Sequence, residues 1–134
     1  MAGYSGTPLA RKLGIKPGHR VLLRHAPDDF EATLGDLPEG AIVLRRARSA
    51  CDVIVAFYDR GAKLEREFAK LAALLEPAGG LWLAWPKRSA GVATDLDGGV
   101  IRGVGLSFGL VDNKVCAIDE TWSGHRFVIR LKDR

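Results

Sequence analysis

The chain has 134 residues, 47% of them hydrophobic and 27% charged, with a net charge of +4 and two cysteines. That length suits one domain burying about two-thirds of its unfolded surface, and the composition excludes a disordered or disulfide-stapled protein. The longest apolar runs, VIVAF at 53–57 and LWLAW at 81–85, are far short of the roughly 20 residues that span a bilayer as a helix. The MAGYSGTPLARK start carries no secretion-signal core, so a cytoplasmic protein is expected.

In chain order, Thr7 followed by Pro8 predicts a helix start, with threonine as cap and proline at the first helical position, and Gly14 closes a short helix through Leu13. Residues 20–25 form a first strand around Val21, Leu22 and Leu23, after which Asp28 or Asp29 can cap a helix carrying Phe30 and Leu34. Residues 41–44 make a second strand. Residues 52–58, DVIVAFY, make a third, apolar enough to be covered on both faces. After Gly61, Leu64, Phe68, Leu71 and Leu75 recur at helical spacing, with Lys63, Arg66, Glu67 and Lys70 off that stripe, and Pro77 with Gly79 and Gly80 ends the helix. A fourth strand follows at 81–85. Thr94 and Asp95 predict the next helix, with Leu96, Val100, Val104 and Phe108 buried, although four glycines weaken it. The last elements are strands at 114–119 and 126–131, joined as a long-looped antiparallel hairpin in which Gly124 supplies a positive dihedral.

Strands alternating with helices predict an α/β class, a Rossmann-like three-layer domain spanning 1–134 as a single unit. Right-handed crossovers give a mostly parallel sheet of order 2-1-3-4 with the C-terminal antiparallel hairpin at its edge. The ligand crevice of such a sheet lies where the order reverses, above the carboxyl ends of strands one and three. His25, Asp28, Tyr58, Asp59 and Lys87 are expected there, with Trp85 able to stack on a ligand beside Lys87. His25 and Asp28 are the candidate catalytic residues, since an imidazole oriented by a carboxylate can serve as a general base. The bland alternative is a strand-end histidine followed by helix-capping aspartates.

The segment LLEPAGGLWLAWPK resembles the helix, turn and following strand of class I S-adenosylmethionine-dependent methyltransferases, and VCAIDETWSGHRFVIR resembles their terminal hairpin in placement. More closely, GYSGTPLARKLG, GLWLAWPK and GLVDNKVCAIDETWSGHRFV together resemble a small bacterial family, domain of unknown function 3052. The methyltransferase resemblance implies a glycine-rich turn after strand one and an acidic residue ending strand two that holds the cofactor's ribose. Here the turn reads His25-Ala26-Pro27-Asp28-Asp29 and strand two ends in Arg45-Arg46, so the implied cofactor, S-adenosylmethionine, is disfavoured and none is expected.

On the hairpin, Asn113, Lys114, Asp119, Glu120 and Trp122 form either a partner or ligand site or ordinary turn chemistry beneath a covering tryptophan. His19, His25 and His125 have no metal-ligand spacing, so no metal is expected, and Cys51 and Cys116 read as small core residues. The leading reading is a binding or interaction module, without catalysis, on a degenerate methyltransferase-like scaffold. Its partner is an unidentified protein or small molecule. One rival is a minimal methyltransferase or other small-ligand enzyme using the crevice. Another is a polyanion or nucleic-acid binder using Arg45, Arg46, Lys87 and Arg88.

Overall fold

The computed structural model describes residues 7–134, so the opening residues of the GYSGTPLARKLG motif lie outside the described residues. Six strands make one sheet: β1 (Arg20–Arg24), β2 (Ile42–Leu44), β3 (Cys51–Phe57), β4 (Leu75–Pro86), β5 (Leu110–Ala117) and β6 (Trp122–Ile129), in the order β2-β1-β3-β4-β6-β5. Strands β1 to β4 are mutually parallel, and β6 pairs antiparallel with both β4 and β5, so β6 alone runs against the rest. This is the expected Rossmann-like order, with the hairpin's second arm beside β4 and its first arm at the edge.

Alternation along the central strands builds two cores, one on each face. Leu22, Ile54, Ala56, Leu81 and Leu83 pack with Leu64, Phe68 and Leu71 of α3 (Gly61–Ala73) and with Ile101 and Val104 of α4 (Gly98–Ser107). Val21, Leu23, Val53, Val55, Phe57 and Trp82 pack with Leu9 and Ala10 of α1 (Leu9–Lys12) and with Phe30 and Leu34 of α2 (Phe30–Leu34). Between β2 and β3 there is no helix; residues 45–50 cross β1 directly, with Ala47 packed on the α3 side. Among the described residues, no helix is long and apolar enough to cross a membrane.

Several local expectations are corrected by packing. Thr7 does not cap α1; Pro8 holds the cap position, and the helix end is instead anchored by the buried Trp82 Nε1–H donating to Leu13 O at 2.9 Å. Asp29 occupies the cap of α2 without a side-chain cap bond. Leu75 is buried as predicted, but as the first residue of β4 and not the last of α3. β4 pairs with β3 at Cys51↔Leu75 and again at Val53↔Gly80, so Pro77 and Gly79 sit in a bulge inside the strand. Gly79 is required there because a Cβ would lie 2.6 Å from the Asp52 carbonyl oxygen.

Thr94 and Asp95 do not start α4. Thr94 Oγ1 donates to Asp59 O at 2.7 Å, and Asp95 Oδ1 accepts from the Gly61 amide at 2.8 Å, so this pair secures the start of α3. The true cap of α4 is Asp97, whose side chain accepts from Val100 N at 2.9 Å. The buried stripe of α4 is accordingly Ile101, Val104 and Gly105, while Val100 and Phe108 are exposed.

The hairpin is tight and not long-looped, turning at 118–121 between arms that begin earlier than expected. Gly124 lies within β6 and turns nothing: a Cβ there would meet Ile118 Cδ1 at 2.8 Å and Trp82 Cε3 at 3.1 Å. Cys51 is buried and Cys116 is half-buried; burial pushes both thiols up, as for inert core residues.

Gly105 allows α4 to seat on β6, since a Cβ there would overlap the Phe127 ring, whereas Gly103, on the same helix, has no neighbour within 4 Å. Gly105→Ala is therefore expected to destabilise the fold by about 1–3 kcal/mol through overpacking. Gly103→Ala should stabilise it by about 0.5–1 kcal/mol through helix propensity. Urea denaturation midpoints moving in opposite directions check this, and a shift of the same sign in both variants would contradict it.

Candidate functional site

The loop that leaves β1 begins with His25 at φ 56°, the left-handed region that favours glycine, and His25 is the one non-glycine residue with positive φ among the described residues. The turn thus has the backbone form that a glycine would give, with an imidazole added. The ring faces α3. Its Nε2 lies 2.7 Å from Glu67 Oε1, and Tyr58 at the end of β3 donates its hydroxyl to the same oxygen at 2.8 Å. The His25 and Tyr58 rings meet edge to face with centroids 5.4 Å apart.

Three elements therefore converge on one carboxylate. Burial pushes the Glu67 carboxyl up, but the bonds from His25 and Tyr58 outweigh it and hold the group below the ordinary carboxylate range. Tyr58 moves the other way: burial raises its phenol, its bond to the Glu67 carboxylate raises it further, and the nearby Arg24 opposes both. Tyr58 thus stays a neutral donor.

The expected His25–Asp28 pair is not formed. Left-handed backbone at His25 turns the ring to Glu67, while Asp28 belongs to a different device. Arg45, just past the end of β2, donates from Nη1 to Ala26 O at 3.1 Å and from Nη2 to Pro27 O at 2.8 Å and Asp28 O at 3.4 Å. It also forks onto Glu31 of α2, with Nε to Oε2 at 3.0 Å and Nη2 to Oε1 at 2.7 Å. The β1–α2 loop consequently presents its carbonyls to a guanidinium that sits between the ends of β1 and β2. The hydrogen bond from Arg45 holds the Glu31 carboxyl down at about 2.

The other predicted residues lie in neighbouring structures. Asp59 offers its carbonyl to Thr94. Trp85 is buried, with its ring over Gly98 and tilted against His125 at 6.4 Å, so it serves the core. It also borders a cleft of about 420 Å³ with Arg88, Thr94, Asp95 and Asp97. The Lys87 amide bonds Thr121 O at 2.7 Å, tying the end of β4 to the hairpin turn.

On the hairpin, Asp119 Oδ1 accepts from the amides of Thr121 and Trp122, both at 2.8 Å, which is the turn chemistry foreseen as the structural alternative. Trp122 packs edge to face on Phe57 at 5.1 Å. Lys114 Nζ reaches Lys12 O at 3.2 Å, and Asn113 Oδ1 accepts from Arg126 at 3.3 Å. Glu120 is exposed at the turn. Arg45, being engaged by Glu31 and three carbonyls, is withdrawn from the basic cluster, while Arg46 is exposed. Among the described residues, no group of three His, Cys, Asp or Glu could hold a metal ion.

Sequence reasoning missed Glu67 and the role of Arg45. A signal for Glu67 was present: it stands three residues after Leu64 and four before Leu71, on the border of the buried stripe. For Arg45 the signal was the position itself, since its partners are 14 to 19 residues away in sequence.

Comparison with solved structures then places the architecture. A methyltransferase from Aquifex aeolicus described as S-adenosylmethionine-dependent superposes with a TM-score of 0.60 at 12% identity, over 91% of this chain and 88% of that one. The chain has the fold of the S-adenosylmethionine-dependent methyltransferases. The DhpI complex with S-adenosylhomocysteine gives 0.65 at 8% identity, over 92% and 83%. Aeropyrum pernix fibrillarin with natively bound S-adenosyl-L-methionine gives 0.58 at 15%, over 90% and 73%. No family model and no curated protein matches the chain.

The Arg45–Glu31 fork is open to a direct test. Because the folded chain holds Glu31 below its unfolded value, the pair contributes stability above the ordinary carboxylate range and loses it as pH falls toward about 2. In a carboxyl NMR titration Glu31 is expected to titrate near 2, and Arg45→Gln should return it toward 4.5. An unchanged midpoint in the variant would exclude Arg45 as the cause.

Proposed function

We propose that this chain is a binding or interaction module on the methyltransferase scaffold, which engages a protein or small-molecule partner without transferring a methyl group. The observation that carries this reading is Arg45. In the family that the sequence resembles, the end of strand two supplies an acid to accept hydrogen bonds from a ribose. Here a donor stands at that place, already engaged by Glu31 and by the carbonyls of residues 26–28.

The turn itself fits the cofactor no better. Pro27 removes an amide from the turn, His25 puts a ring where glycine leaves space, and the loop carbonyls are directed at the guanidinium. Accommodating S-adenosylmethionine would require breaking a forked charge-assisted bond and rotating the loop, with no acid at the end of β2 to compensate. The rival reading, a minimal methyltransferase or other small-ligand enzyme, draws on the cofactor-bound neighbours and on the retained left-handed turn.

Isothermal titration of the chain with S-adenosylmethionine and with S-adenosylhomocysteine separates the two. No saturable heat is expected from either compound. Binding with micromolar affinity would overturn the reading in favour of the enzyme.

A further inference from the structure

Arg24, the last residue of β1, lies on the α3 side of the sheet, two residues beyond Leu22. Arg24 is half-buried, its Nε is buried and has no hydrogen-bond partner, and its guanidinium makes no ion pair among the described residues. A buried donor left unmade is unfavourable, more so when it is charged. The nearby carboxylate, Glu67, is already committed to His25 and Tyr58 through one oxygen. Arg24, Glu67, Lys70 and Leu71 together line a hollow of about 130 Å³.

We propose that this hollow is a binding site for a small oxyanion, with Arg24 and Lys70 as its cationic walls and Leu71 as its apolar one. The space, about 130 Å³ and partly open to solvent, takes a group as small as a phosphate or carboxylate. Charge decides its sign. Two permanent cations face one carboxylate whose charge is shared by two donors, and the planar guanidinium suits paired oxygens while the lysine serves as a point charge. The His25–Glu67–Tyr58 cluster then has a definite part: it withdraws Glu67 from Arg24, so that the arginine stays available to an external anion.

The test is an NMR titration of the whole chain, reading the Arg24 Nε–H resonance and the amides of α3, with inorganic phosphate in one arm, acetate in a second and chloride as the ionic-strength control. A saturable shift with phosphate, with acetate or with both, and none with chloride, is expected. A response to phosphate alone assigns a phosphate group, and one to acetate alone assigns a carboxylate. Lys70→Gln, a change on the exposed face of α3, and Arg24→Gln should each weaken binding by about tenfold or more, as for loss of one of two charge-assisted contacts. No saturable shift with either anion, or undiminished affinity in Lys70→Gln, overturns the proposal. The inference is independent of the cofactor question. Cofactor uptake would be read at residues 26–28, and the phosphate or acetate response at Arg24 stands or falls separately.

Discussion

A strand buried on both faces imposes the order of everything around it. Val53, Val55 and Phe57 of β3 point into one core while Ile54 and Ala56 point into the other, and each set demands a helical layer. Helices α1 and α2 supply the first layer, α3 and α4 the second. With the interior filled by hydrocarbon, polar chemistry is displaced to the ends of the strands, where Tyr58 follows β3 and His25 follows β1. The candidate site is thus a consequence of the core: it collects what two apolar faces exclude.

At that rim two carboxylates find their partners within the chain. Glu67 draws in an imidazole and a phenol, and Glu31 draws in the Arg45 guanidinium, which also gathers the loop carbonyls. The methyltransferases that the sequence resembles carry an acid at the end of the second strand; here a donor engaged by Glu31 and the loop carbonyls stands just past β2. Farther along the sheet, His125 is buried with its Nε2 2.9 Å from Asp112 Oδ2, and Arg102 joins the same oxygen at 3.0 Å, so that α4, β5 and β6 are cross-linked by a second internal network.

Much of the fold could be read from contiguous residues. The four parallel strands, the order around β1 and the amphipathic α3 all follow from apolar runs and helical spacing, because neighbours along the chain share one backbone geometry. Errors arose where a residue of known habit was used for an unrelated purpose. Gly124 and Gly79 suggested turning and stopping, yet both are there because another group comes too close for a side chain. Thr94 and Asp95 suggested a helix start and do serve one, but that of α3, more than thirty residues earlier. The candidate site divided in the same way. His25 and Tyr58, expected at one end of the sheet from topology, meet edge to face, whereas the carboxylate that joins them was read only as lying off the stripe of α3.

Periodicity, apolar content and the right-handed crossover rule were sufficient to specify a Rossmann-like, mostly parallel sheet and its strand order. They are properties of the local chain and of its handedness, and they survive without knowledge of any distant contact. The partners of His25, Arg45 and Gly105 were not specified that way. Glu67 lies 42 residues from His25 and Glu31 14 residues from Arg45, and Gly105 meets Phe127 across an interface between a helix and a strand. Which charges meet depends on strand register and helix placement, so only the folded chain decides that Arg45 is engaged by Glu31 and the carbonyls of the β1–α2 loop.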